Sequence, residues 1–460
     1  MLCLKWVIVV AGMSAALLVA CGDDTEGQGG QGGAPACSPE AQTGCAEGLA
    51  CEEVEGGEPA CFAPVTLKGR VFDLATDAAI EGAHVVARDE NQAAISPVAV
   101  TNPEGQFDLR VPAKRDANGA PIARAFTLRA DAQDYLGFPK APRVALPLDL
   151  ADATGEPLVL QSTLSDIGLI ALSETSDLGQ ISGSVNAELP GGALALAGGA
   201  TGIADSDGSF TIFNVPAGEQ TVSGYKQGLN LAAATATVAA GEETPNVVLT
   251  EIGAATARVS GSVQIVNGGG ASTTSVILVL EDTFDETLAR GETPPGLRAG
   301  DISGAFSIDG VPDGAYVVLA AFENDGLVRD PDTSIGGTEI AHITVAGADV
   351  EIDGGFKVTG ALAVVSPGAD GIEPVSGTPT FSWEDDSSED LYRVEVFDAL
   401  GNLTWETEGN FDPGGGDDAT VEYGGPALET GMIYQFRATS IKDGVPISST
   451  EDLKGVFISQ

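Results

Sequence analysis

Four cysteines stand close together, Cys37, Cys45, Cys51 and Cys61, with seven, five and nine residues between them. Thiols at this density either oxidise in pairs or hold a soft metal. A structural zinc site usually draws on paired C-x-x-C spacing, which none of these gaps supplies. An even number of cysteines in 25 residues with almost no apolar core reads as two disulfides, and three pairings satisfy the spacing equally. The segment 37–61 is therefore expected to be a stapled knob and not a metal centre.

Other chemistry is sparse. The chain has two histidines, His84 within Ala83-His84-Val85-Val86 and His342 within Ile340-Ala341-His342-Ile343. Both lie in alternating patterns, which makes them strand residues before they are bases. Neither a G-x-S-x-G elbow, a phosphate-cradling G-x-x-x-x-G-K-[ST] loop nor a dinucleotide fingerprint is present. Gly268-Gly269-Gly270 and Gly414-Gly415-Gly416 fall between strand patterns and read as loops. Asp205-Ser206-Asp207-Gly208 echoes the opening of a calcium loop, but the twelfth position of that frame is Pro216 instead of a bidentate glutamate. Glu384-Asp385-Asp386 with Glu389-Asp390 reads as a solvated loop. No catalytic residue, cofactor or metal ligand is expected.

The elements that carry these residues are strands. With 61 glycines, 25 prolines, 19% charged and 5% aromatic residues in 460, the composition suits short strands joined by turns. The length asks for several domains. A formal charge of −46 repels polyanions, so nucleic acid is not expected as a partner. The same charge keeps an exported protein soluble and attracts cations such as calcium diffusely.

From residue 66 a pattern recurs three times. It opens Gly69-Arg70-Val71, Gly183-Ser184-Val185 and Gly261-Ser262-Val263. It continues Gly105-Gln106-Phe107-Asp108-Leu109, Gly208-Ser209-Phe210-Thr211-Ile212 and Gly304-Ala305-Phe306-Ser307-Ile308, and each copy closes on a Val-Pro pair. Gly-x-Val starts an alternating strand, the polar-Gly pair turns the chain, and Phe-x-Leu/Ile resumes alternation with both apolar side chains on one face. Proline then ends the strand. Each copy is expected to be a small antiparallel sandwich built from hairpins.

These motifs resemble the carboxypeptidase regulatory-like domain, a prealbumin-like β-sandwich. Gly69-x-Val71, Gly82-Ala83-x-Val85 and Gly105-x-Phe107 carry the likeness best, whereas the later copies resemble only the broader sandwich class. The peptidase that gives that domain its name begins its zinc set with His-x-x-Glu. Ala87 follows His84 and Val345 follows His342 at that spacing, so the hydrolase unit is not implied. The last hundred residues, with Phe381-Ser382-Trp383, Tyr392-Arg393-Val394 and Tyr434-Gln435-Phe436, resemble a fibronectin type III or immunoglobulin-like module. That likeness implies a core Trp383 and a tyrosine-corner hydrogen bond from Tyr434; Trp405 is expected to pack on a sheet edge.

At the N-terminus, Lys5 precedes an apolar run from Trp6 to Ala20 that ends Leu18-Val19-Ala20-Cys21. The run is short for a membrane span. It resembles the lipobox of a bacterial lipoprotein signal peptide, which implies removal of residues 1–20 and acylation of Cys21. Gly22 is not the aspartate such families use for inner-membrane retention, which favours the outer membrane. The Gly-rich stretch that follows buries nothing and is expected to be a flexible tether.

The expected order is thus an all-β chain: 1–20 signal peptide, 21–36 lipidated tether, 37–61 Cys-rich segment, then tandem sandwiches at 66–172, 178–252, 256–358 and 360–460, strung one after another. The expected role is non-enzymatic: a lipid-anchored protein at the cell surface or facing the periplasm. It would present its modules for adhesion or for binding protein or polysaccharide. The alternative is a periplasm-facing accessory subunit of a secretion or uptake assembly.

Overall fold

The computed structural model describes residues 37–39, 41–266, 272–286, 289–321, 325–386, 388–411 and 418–460. Residues 1–36, with the signal, Cys21 and the tether, lie outside them, as do both triple-glycine runs. The described chain is all-β, interrupted by two single-turn 3-10 segments, Leu150–Asp152 and Glu281–Thr283.

In the first sandwich a sheet ordered Gln106–Val111, Val65–Asp73, Val159–Ala171, Tyr135–Leu136 faces a sheet ordered Ala99–Val100, His84–Arg88, Ala125–Asp131, Leu148–Asp149. Val65, Leu67 and Val71 meet Phe107, Leu109, Phe126 and Leu128 between them. The recurring glycine and phenylalanine are register partners in all three copies: Gly69 with Phe107, Gly183 with Phe210, Gly261 with Phe306. A Cβ on Gly69 would lie 2.6 Å from Phe107 Cζ. Ser165 O would be nearer still, at 2.2 Å, so the glycine is there because a ring and a neighbouring backbone both approach closer than a side chain permits.

The copies are not purely antiparallel. Val65–Asp73 pairs in parallel with Val159–Ala171, Leu178–Asn186 with Glu243–Ala254, and Ala257–Ile265 with both Val350–Glu351 and Phe356–Gly360. Hairpins alone cannot make a parallel pair. The chain circles each sandwich and its last strand returns beside its first, a long-range closure that alternation does not reveal.

Nor are the sandwiches strung out. Ala193 to Ala197 reads Ala-Leu-Ala-Leu-Ala and is buried throughout. Its alanines enter the second core, whereas Leu194 and Leu196 leave it and join Val276, Leu278, Tyr316 and Val318 of the third. Tyr225 and Tyr316 meet edge to face across this seam with ring centroids 6.0 Å apart. Thr274–Leu280 is buried along its whole length, Val276 and Leu278 on one face, Ile277 and Val279 on the other.

The C-terminal unit has a sheet ordered Val364–Ser366, Thr380–Trp383, Ala419–Glu422 over a sheet ordered Glu373–Val375, Val456–Ser459, Ile433–Lys442, Leu391–Asp398, Leu403–Gly409. Trp383 is fully buried, and the Glu429 backbone N–H donates to Tyr434 Oη at 2.9 Å. Trp405 is half-buried and packs edge to face on Tyr423. Ile433, Val456 and Ala399 form a cluster with Leu136 and Ile170, which fastens this unit to the first sandwich.

The knob contains two disulfides, Cys37–Cys51 and Cys45–Cys61, which selects one of the three pairings the spacing allows. It is clamped to the first sandwich by a buried ion pair between Glu52 and Arg115. Glu52 Oε1 also accepts from the Ala113 N–H at 3.0 Å, and Arg115 donates to Ala63 O at 2.9 Å and Gly119 O at 3.2 Å.

Candidate binding cleft

The residues marked by type and spacing are dispersed. The only metal-capable group of three among the described residues is Cys37, Cys45 and Cys61, and its sulfurs are spent in the disulfides. His84 packs edge-on against Phe213, with centroids 5.0 Å apart, and burial holds its pKa below the usual value. His342 is exposed and its Nδ1 lies 2.9 Å from Glu281. The acidic loops serve as braces. Asp205 accepts from the Val98 N–H at 3.0 Å, and Asp207 from the Ser209 N–H at 2.8 Å. Asp385 accepts from Tyr392 at 2.8 Å, and Asp386 from Ser440 at 3.0 Å.

What the packing creates is a cleft of about 680 Å³ to which all four sandwiches contribute. Its floor is the outer face of the His84–Arg88 and Ala125–Asp131 pair. Val86 opposes Arg129 there, Arg88 opposes Thr127 and His84 opposes Asp131, while Val85, Leu128 and Ala130 point the other way into the first core. Leu136, Leu172, Leu400 and Phe213 supply apolar wall.

Four buried arginines line this cleft, Arg88, Arg129, Arg143 and Arg290, each between 5% and 6% exposed. Arg129 is a junction. It holds Asp131 of its own strand at 2.6 Å, Glu292 of the third sandwich, and Thr201 Oγ1 of the second at 2.9 Å. Burial alone would lower its pKa, but Asp131 and Glu292 outweigh that and raise it.

The other three differ. Arg88 gives Nη1 to Gln92 at 3.4 Å and has Glu292, Asp131 and Asp89 near it. Arg143 gives Nη2 to Gly168 O at 2.6 Å and lies over the Phe138 ring. Arg290 gives Nη1 to Ala141 O at 3.2 Å and Nη2 to Gln435. Arg88 Nε, Arg143 Nε and Nη1, and Arg290 Nε are buried without a hydrogen-bond partner. Burial pushes Arg88 and Arg143 down to about 10 and Arg290 to about 9, with Arg129 adding to the first and Arg437 to the last.

Sequence reasoning missed this cleft. A signal was present: basic side chains are scarce, 21 against 67 acidic, yet Arg88 and Arg129 sit mid-pattern in apolar strands. What Arg129 faces across the cleft comes from segments more than 70 residues away.

No protein-family model matches the chain, and no curated protein sequence does. Among solved structures, the Bacillus anthracis TIE protein aligns over 83% of this chain and 68% of its own, at 10% identity and a TM-score of 0.15. A streptococcal ancillary pilin aligns over 64% and 98%, at 12% identity and a TM-score of 0.17. The tetra-tandem repeat in the extending region of a large adhesion protein aligns over 84% and 98%, at 14% identity and a TM-score of 0.14. Superpositions this loose carry no argument about activity, partner or location.

Proposed function

We propose that the protein is a non-enzymatic cell-envelope lipoprotein. Acylated Cys21 holds it at the outer membrane, and its block of sandwiches faces outward for adhesion, binding a protein or a polysaccharide. The observation that carries this reading is the knob. Two disulfides at Cys37–Cys51 and Cys45–Cys61 suit an oxidising compartment outside the cytoplasm. Because Glu52 and Arg115 lock the knob to the first sandwich, and the sandwiches pack on one another, a flexible tether ending at Cys37 would hold the whole block by one fixed point. The acidic surface, at −46 overall, favours solubility and disfavours nucleic acid or anionic headgroups as partners.

Protease added to intact cells tests the placement. A surface protein loses its anchor to cleavage within residues 22–36, whereas a periplasm-facing accessory subunit survives until the outer membrane is breached. Cys21→Ser should release the protein or leave it unprocessed, and undiminished membrane retention would sink the acyl anchor.

A further inference from the structure

The two disulfides of the knob differ in access and lie side by side. Cys37 and Cys51 are 4% and 1% exposed, whereas Cys45 and Cys61 are half-buried. A thiol arriving from solvent therefore meets the Cys45–Cys61 bond first. The sulfurs of Cys37, Cys45 and Cys61 all lie within 4.8 Å of one another. Whichever sulfur of the exposed bond is attacked, the one expelled has Cys37 Sγ within that distance, a gap that a side-chain rotation closes.

The backbone around these sulfurs has fastenings of its own. Cys51 pairs across the strands with Cys61. Gln42 holds the Cys51 backbone twice, accepting from its N–H at 3.1 Å and donating to its carbonyl at 2.9 Å. Beside it, Glu52 is fixed to Arg115 and to the Ala113 N–H. These contacts keep the four sulfurs together while one bond stands open.

We propose that the knob is a thiol-exchange relay: a small cationic thiol opens Cys45–Cys61, and the expelled thiolate displaces Cys51 from Cys37.

The incoming thiol gives up its proton, and its thiolate attacks Cys45 Sγ or Cys61 Sγ. A mixed disulfide forms and the other cysteine leaves as thiolate. That thiolate attacks Cys37 Sγ, joins it, and expels Cys51, which takes up a proton. Two disulfides and one thiol enter, and two disulfides and one thiol leave, so no oxidant or reductant is consumed. The knob then carries the adduct on its open side and a free thiol at Cys51, its most buried cysteine.

Charge selects the thiol. Residues 37–61 include six glutamates, Glu40, Glu47, Glu52, Glu53, Glu55 and Glu58, and no lysine, arginine or histidine. Glu52 is paired with Arg115. The others, on a chain of −46, repel an anionic thiol and attract a cationic one.

Purified full-length protein, its native pairing mapped first, is exposed at low ionic strength to limiting cysteamine, which is cationic, or to glutathione, which is anionic. Free thiols are capped with N-ethylmaleimide in mildly acidic denaturant. A protease that cuts after glutamate then separates the four cysteines at Glu40, Glu47 and Glu52. Mass spectrometry should find the cysteamine adduct on Cys45 or Cys61, the other of these joined to Cys37, and the cap on Cys51. Cysteamine should react at least about tenfold faster than glutathione, the lower end of electrostatic steering. No exchange, equal rates, or a cap confined to Cys45 or Cys61 with Cys37–Cys51 intact overturns the proposal. With Cys45→Ser and Cys61→Ser combined, Cys37–Cys51 should persist under the same exposure, and its opening at the wild-type rate would refute the relay. Should that variant fail to fold, the wild-type map decides alone. The relay shares only the pairing with the surface-display reading. Failed exchange leaves that reading standing, whereas a native map lacking both bonds sinks the two together.

Discussion

Gly183 lies directly opposite Phe210 in the second sandwich, and a Cβ at that glycine would stand 2.6 Å from the ring's Cζ and only 2.0 Å from Val247 O of the parallel neighbouring strand. The ring covers the glycine backbone, so the two motifs the sequence shows 27 positions apart are a single contact. Gly183→Ala is expected to destabilise the protein by about 1–3 kcal/mol, the usual cost of overpacking. Gly371→Ala, where a Cβ meets nothing within 4 Å, serves as the control. Denaturant midpoints of the two variants check this, and equal midpoints would refute the close approach of Phe210 and Val247 to that glycine.

The seam between the second and third sandwiches is expected to depend on Leu196, which is 2% exposed within the third sandwich's core cluster. Leu196→Ala should cost about 2–5 kcal/mol by cavity formation. The same change should separate one melting transition into two if these units unfold together. Calorimetry reads both effects.

Arg129 joins three sandwiches through Glu292 and Thr201. Removing its charge leaves the half-buried Asp131 and Glu292 without their hydrogen-bonded partner and with only Arg88 nearby, so Arg129→Ala is expected to lose about 3 kcal/mol. In a double-mutant cycle Glu292→Gln should recover part of that loss. Strict additivity of the two changes would argue against the pairing.

Glu451 accepts from the Gly326 N–H at 2.6 Å across the boundary between the third and fourth units. Its pKa is raised chiefly by burial, with Asp325 adding to the rise. The folded state therefore holds this proton above the unfolded value near 4.5. Stability from this group is full below the unfolded pKa and falls as pH rises through the raised one. Glu451→Gln should flatten that fall, so the melting temperature of the variant relative to wild type should climb between pH 4 and pH 8. A constant difference would refute the assignment.

Disulfide loss should act locally. Replacing Cys37 and Cys51 with serine is expected to destabilise the knob by about 2–4 kcal/mol. The sandwich cores, which share none of their buried side chains with that loop, should retain their melting temperature.

Much of the architecture could be read from the chain. Gly-x-Val, polar-Gly and Phe-x-Leu/Ile fix alternation and turns through neighbours only a few positions away, and those are the interactions that form the hairpins. The clustering of Cys37 to Cys61 signalled bridges, but only the fold chose Cys37 with Cys51. The parallel closures and the stacking were hidden, because each joins strands or faces from distant segments. Ala193 to Ala197 carried a hint: an apolar run without an outward polar position needs cover on both faces.

By itself the sequence determined that this is a strand-built, acidic chain with a stapled knob, because periodicity, turn chemistry and thiol spacing act over short stretches of backbone. The meeting of Arg88, Arg143 and Arg290 in one cleft was decided only by tertiary structure. Burying Leu194, Leu196 and Ile433 against neighbouring sandwiches sets Arg290 of the third sandwich in the cleft that Arg88 and Arg143 of the first also line, and no local rule encodes which outer faces will be covered.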